Sequence, residues 1–194
     1  MSTSVSTATS GRPQRADARR NRERVMEAAR SAFAQAGADL PMEEIARRAG
    51  VGIGTVYRHF PNKEALLDAL LAEQLALFVE RTRKALAQDD AWESFREMVR
   101  EGASAQADDM AFCELVMARK AFSRSEAVVA LREELETETE KLLQRAKAEG
   151  RMRHDFTIDD MPVLFASIAG AIRSTADDAA WRRQVEFALD GLRA

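Results

Sequence analysis

Residues 46–71 read ARRAGVGIGTVYRHFPNKEALLDALL, with PMEEI (41–45) leading into them. Pro41 stands at the start of a short helix, where a missing N–H is no loss, and Glu43 and Glu44 follow where the helix dipole favours acids. Gly50 ends that helix, because the left-handed C-cap position suits a residue without a Cβ. A second helix covers about Ile53 to Phe60, and Pro61 closes it by pushing the preceding residue out of helical geometry. Ala46 at the helix crossing, Gly50 in the turn and β-branched Val56 plugging the second helix onto the first make a helix-turn-helix pattern.

Turning the second helix by about 100° per residue shows what it offers outward. With Val56 directed at the core, Gly54 and Arg58 point almost directly away, Thr55 and Tyr57 lie on the flanks, and His59 falls nearer the buried side. Such a face suits nucleic acid. Gly54 permits close backbone approach, Arg58 can make a bidentate bond to guanine or pair with phosphate, and Thr55 and Tyr57 carry hydroxyls at phosphate reach. A glycine-rich helix with one arginine also occurs on ordinary solvated surfaces, so the spacing alone favours DNA only modestly.

The run Ala49-Gly50-Val51 followed by Gly54-Thr55-Val56-Tyr57-Arg58-His59-Phe60-Pro61-Asn62-Lys63-Glu64-Ala65-Leu66-Leu67 resembles the signature of the TetR family of bacterial transcription regulators. The likeness runs from Arg22 to about Leu71. It implies an all-α homodimer whose three N-terminal helices bind a palindromic operator on double-stranded DNA and whose C-terminal helices bind a small-molecule effector. By the same resemblance Thr55, Tyr57, His59 and Lys63 hold phosphates, while Ile53, Gly54 and Arg58 face bases. The Gly150 turn and Thr157 cap faintly resemble the SbtR-like subgroup of that family.

Charge agrees with a nucleic-acid head. The chain has a net charge of −3, yet residues 1–63 carry eleven Lys/Arg against six Asp/Glu, a balance of +5 that leaves −8 for the rest. A basic head on an acidic body is the electrostatic footprint of a DNA-binding module. Arg12, Arg15, Arg19, Arg20, Arg22 and Arg24 crowd one stretch, either as a solvated helix end or as an arm neutralising phosphates; the motif downstream favours the arm, with Arg19 and Arg20 as its contacts.

The remaining pattern is helical throughout and predicts about nine helices in an all-α fold. Residues 1–14 form a Ser/Thr-rich disordered tail, 15–62 the helix-turn-helix domain and 63–194 a helical effector-binding and dimerisation domain. The first helix carries an apolar stripe of Val25, Ala29, Ala32, Phe33 and Ala36 and ends at Gly37. Asn62 caps a long linking helix to about Leu86. A fifth helix holds Trp92 and Phe95 and ends near Gly102, a sixth spans Met110 to Phe122, and a seventh spans Ser125 to Glu149 until Gly150 stops it. Thr157 and Asp160 form a capping box for an eighth, about Ile158 to Thr175, before a last helix from Asp177 to Leu192.

In the body, Phe95, Met98, Val99, Phe112, Cys113, Val116, Met117 and Phe165 are the expected lining of an effector cavity, although ordinary core accounts for most such residues. Few polar anchors accompany them, which suggests an apolar or aromatic effector, or none. Phe165, Ile168, Ile172, Trp181, Val185 and Leu189 on the last two helices either close the chain's own core or, as the resemblance implies, meet a two-fold mate. Single Cys113 and scattered His59 and His154 make neither a disulfide nor a metal site, so no cofactor is expected. MSTSVSTATSG lacks a basic start and an apolar core, and no apolar run approaches membrane-spanning length, so a cytoplasmic protein without membrane contact is expected. An enzyme is disfavoured, with no phosphate-binding glycine loop and no nucleophile near a base. The reading is a repressor released from its operator by an effector; an activator, or a helical module acting without DNA, is the alternative.

Overall fold

A computed structural model of the protein describes residues 11–36, 39–120 and 123–194. Nine α-helices follow one another there: α1 (Gly11–Ala36), α2 (Met42–Ala49), α3 (Ile53–His59), α4 (Lys63–Leu86), α5 (Ala91–Asp108), α6 (Met110–Lys120), α7 (Glu126–Ala148), α8 (Met161–Ser174) and α9 (Asp178–Asp190). Apart from a single bridge between Met152 and Arg193, regular structure among the described residues is helical, as the sequence predicts. The chain divides into two compact units after Leu67, a few residues beyond the expected boundary and inside α4.

In the first unit α1 packs on α2 and α3. Val25, Met26, Ala29, Ala32 and Phe33 of α1 are buried, as are Ile45, Ala46 and Ala49 of α2 and Val56 and Phe60 in and after α3. Gly50 adopts φ 63°, ψ 38° and its N–H donates back to the end of α2. Phe60 breaks α3 with φ −136°, ψ 96°, the extended conformation demanded by Pro61. Asn62 Oδ1 then accepts from the Ala65 N–H at 2.8 Å and starts α4.

The second unit is built around Trp92, Phe95, Val99 and Ala103 of α5, Leu142, Leu143 and Ala146 of α7, Leu164 and Ile168 of α8, and Trp181, Val185 and Leu189 of α9. Arg145 in the last turn of α7 and Glu149 at its C-cap organise the link between α4 and α5. Arg145 donates to the carbonyls of Leu86, Gln88 and Asp89, satisfying acceptors that α4 leaves open at its end. Glu149 accepts the Ala91 and Trp92 N–H groups at 3.1 and 3.3 Å, satisfying donors at the start of α5. Arg119 of α6 bonds Asp68 of α4 at 2.8 Å. Between α5 and α9, Glu186 accepts from Arg96 at 2.8 Å and from Arg100 at 2.7 and 3.0 Å. Hydrogen bonds from Arg100 and then Arg96 hold its carboxyl down to about 2, against the opposing effect of burial.

Several sequence expectations shift. The tail expected over residues 1–14 lies outside the described residues as far as residue 10, whereas residues 11–14 already belong to α1. Gly37 and Phe122 also lie outside them. α5 does not stop near Gly102 but continues to Asp108, because Gly102 is buried mid-helix where the Phe165 ring of α8 approaches; a Cβ there would stand 2.8 Å from that ring. The Thr157–Asp160 capping box forms, with Asp160 Oδ2 accepting from the Thr157 N–H at 2.7 Å, but it caps a single 3-10 turn before α8. Ile168, Trp181, Val185 and Leu189, expected at a two-fold interface, are buried within the chain's own core, so they offer no surface to a mate. Ile172 is half-buried against that same core. No described helix is long and apolar enough to cross a membrane.

Two outcomes are expected. Gly50→Ala forces a left-handed backbone on an L side chain and lowers stability in chemical denaturation by about 1–2 kcal/mol; an unchanged midpoint contradicts the role given to the turn. Glu186→Gln lowers stability near neutral pH by about 1 kcal/mol, a value discounted for partial exposure. Because the folded carboxyl titrates at about 2 rather than 4.5, its contribution is full above pH 4.5 and fades as pH falls toward 2. Wild type and variant therefore converge in stability over that window, and a difference independent of pH contradicts the ion-pair account.

Candidate nucleic-acid interface and ligand cavity

α3 is seven residues long, entered from Gly52 with φ −67°, ψ 145°. Its first bonds run from the Thr55 and Val56 N–H groups to the Gly52 carbonyl at 2.8 and 3.3 Å. Exposure follows the rotation about the helix axis. Val56 is fully buried, Ile53, Gly54, Tyr57 and Arg58 are exposed, and Thr55 and His59 are half-buried. Tyr57 is 43% exposed, high for an aromatic residue and unexplained by packing. A Cβ on Gly54 would meet nothing within 4 Å, so the backbone there is open to a close partner. The half-buried His59 ring sits 6.3 Å from that of Phe60.

The cations around this face divide sharply. Arg22 lies 5.4 Å over the Phe60 ring, and Arg24 donates to the Gly50 carbonyl at 3.1 Å, so both build the unit itself. Arg47 and Arg48 converge on Glu44 at 2.6–2.8 Å, and their hydrogen bonds hold its carboxyl down to about 2. Arg48 also reaches Gln35 of α1 at 2.9 Å. Arg19 pairs with Glu23 at 3.6 Å and Arg20 with Asp17, both pairs exposed along α1, where another anion can replace the acid. Arg30 and Lys63 are engaged as well. Among the described arginine side chains of this unit Arg58 alone has no hydrogen bond, ion pair or ring contact. The side chains of Arg12 and Arg15 lie outside the described residues.

In the second unit a cavity of about 650 Å³ opens between α4, α5, α6, α7 and α8. Of the residues expected to line it, Met98, Cys113, Met117 and Phe165 do. Phe95 and Val99 do not. They turn from Met98 and Gly102 toward Trp92 and the core, and the Phe95 ring lies 6.0 Å from Trp92 and 6.1 Å from Phe156. Phe112 is buried away from the cavity, and the Val116 side chain lies outside the described residues.

Sequence reasoning missed the polar part of the lining: Gln74, Arg81 and Thr82 of α4, Gln106 of α5 and Thr139 of α7. Gln74, Thr82 and Thr139 are buried. Thr82 Oγ1 bonds the Phe78 carbonyl at 3.0 Å and touches Met98 Sδ at 3.4 Å. The signal for them was weak but present, since Gln74 and Thr82 interrupt the apolar positions of α4 at Leu70, Leu71, Leu75, Phe78 and Val79. Among the described residues no group of three or more His, Cys, Asp or Glu is arranged to hold a metal ion.

Known proteins agree with this architecture in both parts of the chain. Residues 25–70 match a family described as bacterial regulatory proteins of the TetR family. Residues 87–194 match a family described as the transcriptional regulator SbtR-like C-terminal domain. The crystal structure of a TetR transcription regulatory protein from Mycobacterium vanbaalenii is 34% identical, over 94% of this chain and 100% of its own, with a TM-score of 0.65. That of a TetR transcriptional regulator from Streptomyces coelicolor is 30% identical, over 89% and 98%, with a TM-score of 0.60. An HTH-type transcriptional regulator of Staphylococcus aureus is 38% identical over 66 residues, 34% of this chain; the chain spans only 36% of that relative's length. With both parts of the chain matched and a relative aligned along its whole length, the protein belongs to the TetR family of bacterial transcriptional regulators.

Proposed function

We propose that this regulator binds a palindromic operator as a homodimer and leaves it when a small molecule occupies the cavity of the second unit. The observation that supports DNA reading best is the outward face of α3. There an unpartnered Arg58 stands beside an open Gly54 backbone, with the hydroxyls of Thr55 and Tyr57 flanking them. A protein gains no folding stability from an exposed tyrosine and an arginine without a partner, whereas guanine edges and phosphates satisfy both. Ile53 and Gly54 approach bases, Thr55, Tyr57 and Lys63 reach phosphates, and Arg19 and Arg20 exchange their intrahelical acids for the DNA backbone. His59 contributes least, since it is half-buried with its ring beside that of Phe60.

Release follows from two conformations with different spacing of the two α3 helices, the ligand favouring the one that misfits half-sites a helical turn apart. α4 is the natural carrier. Its first turn belongs to the first unit, and Gln74, Leu75, Phe78, Arg81 and Thr82 farther along it line the cavity. The mate is proposed to meet α8 and α9 on their outward sides, where Val163 is 68% and Phe187 57% exposed, rather than on the stripe that fills the core.

DNA selected from a random-sequence pool by the full chain provides the first test. Arg58→Ala is expected to reduce the preference for selected over scrambled DNA by about 1–3 kcal/mol. Arg19→Ala is expected to weaken both alike and to lower the salt slope by about one unit. Selectivity retained in Arg58→Ala contradicts the base-reading role. Sedimentation at micromolar concentration is expected to return a dimer for the wild type and a monomer that no longer binds the palindrome for Val163→Glu combined with Phe187→Glu. A stable wild-type monomer overturns the two-fold model.

A further inference from the structure

We propose that the ligand of this cavity is a carboxylic acid with an apolar body and a hydrogen-bond donor at its far end, the carboxylate seated on Arg81 and the donor on Gln106. The proposal rests on the reading of the cavity as the effector site and names the chemistry that fills it. Arg81 Nη1 is buried and has no hydrogen-bond partner. The acid nearest its guanidinium is Glu101, whose Oε2 stands 4.0 Å from Nε, beyond hydrogen-bond distance. Its carbon lies 5.8 Å over the Phe78 ring, which steadies the group without accepting its protons. A guanidinium offers five N–H donors and no acceptor, and a buried donor left open costs free energy that an incoming anion recovers.

At the other end of the cavity the demand is reversed. Gln106 Oε1 is likewise buried without a partner, and an open carbonyl calls for a donor, which a carboxylate cannot supply. Gln74, only 5% exposed, has no hydrogen bond among the described residues and can either donate or accept.

The separation of the two ends follows from helix register. Residues 87–90 join α4 to α5, and the contacts Thr82–Met98 and Arg81–Glu101 show the two helices running antiparallel. Two turns back along α4 from Arg81 is Gln74, and two turns forward along α5 from Met98 is Gln106, so the two glutamines stand level at roughly 10–12 Å from the arginine end. Leu75, Phe78, Met98, Met117 and Phe165 line the space between.

One negative charge suits this site better than two. The other arginine in the lining, Arg173, already pairs with Glu114 at the exposed rim, where Glu136 and Asp159 are also solvated. A phosphate would therefore face one guanidinium with nearly two charges, and burying the uncompensated one is unfavourable.

The test is calorimetric titration of the full chain, without DNA, with ω-hydroxydecanoate, its methyl ester and decanoate. The hydroxy acid is expected to bind at least about tenfold tighter than its ester, a difference one charge-assisted hydrogen bond supplies. Arg81→Gln should bring that ratio near one, and Arg81→Lys should restore part of it. Gln106→Leu should abolish the advantage of the hydroxy acid over decanoate while keeping the preference for acid over ester. Equal binding of acid and ester by the wild type, an unchanged ratio in Arg81→Gln, or no binding of any acid overturns the proposal. DNA release, measured separately, distinguishes the two readings. Arg81-dependent acid binding that leaves the DNA complex intact upholds the ligand chemistry and sinks the effector role. Release by compounds without acid preference does the opposite.

Discussion

The left-handed turn at Gly50 is the constraint on which the first unit depends. α3 is too short to hold itself together in water, because a helix of seven residues barely repays its own nucleation. Its place is set from outside. Gly50 reverses the chain at φ 63°, its carbonyl is held by Arg24 of α1, and Val51 N–H bonds the Ala46 carbonyl at 3.1 Å. Val56 and Phe60 then anchor the helix from within, with Arg22 over the Phe60 ring. Because turn and anchors fix both ends of one short helix, the exposed side chains of its outward face are free of structural duty. That freedom permits a glycine, an exposed tyrosine and an unpaired arginine to share one face.

A second constraint of the same kind orders the other unit. Helix ends leave backbone groups open, and a chain of short connections brings those ends close to the core, where water serves them poorly. Arg145 in the last turn of α7 and Glu149 at its C-cap answer both needs of the α4–α5 connection, the cation on carbonyls and the anion on N–H groups. With the ends fixed there, α4 and α5 run antiparallel in a defined register, which sets Thr82 against Met98. The cavity polarity is thus a consequence of a capping arrangement at the end of the pair of helices.

How much of this the sequence reveals depends on the range of the interaction. The helix-turn-helix is legible because its determinants are local: Pro41 and Pro61 bound it, Gly50 turns it, and a rotation about Val56 assigns each side chain of α3. The cap at Asn62 and the stops at Pro61 and Gly150 are legible for the same reason. Periodicity says that a helix has an apolar face but not what covers it, so Ile168, Trp181, Val185 and Leu189 read equally as an interface or as core; the structure makes them core. Gly102 reads as a helix end by propensity, yet Phe165, distant in sequence, takes the place of its missing side chain. Gln106 looks like an ordinary helical surface residue, and Gln74 is marked only by its interruption of the apolar stripe of α4. Only the packing of α4 against α5 reveals that both face a cavity.

The polar groups in that cavity bear on why it exists at all. A protein optimised only for stability would fill such a space with aliphatic side chains, since empty volume and unpaired buried polar atoms both disfavour folding. Here the two open atoms are a donor on Arg81 and an acceptor on Gln106, which do not satisfy each other because about two helical turns separate them along α4 and α5. The space is also lined by Met98, Met117 and Met161, whose flexible unbranched side chains adapt to an occupant rather than fixing one packing. A ligand that matches both ends stabilises the arrangement that holds them apart, and it leaves a closed arrangement unrewarded. Differential affinity of that kind is what a ligand needs to shift a conformational equilibrium. The features that make the second unit less than optimally packed are therefore the ones through which a bound molecule can act on α4.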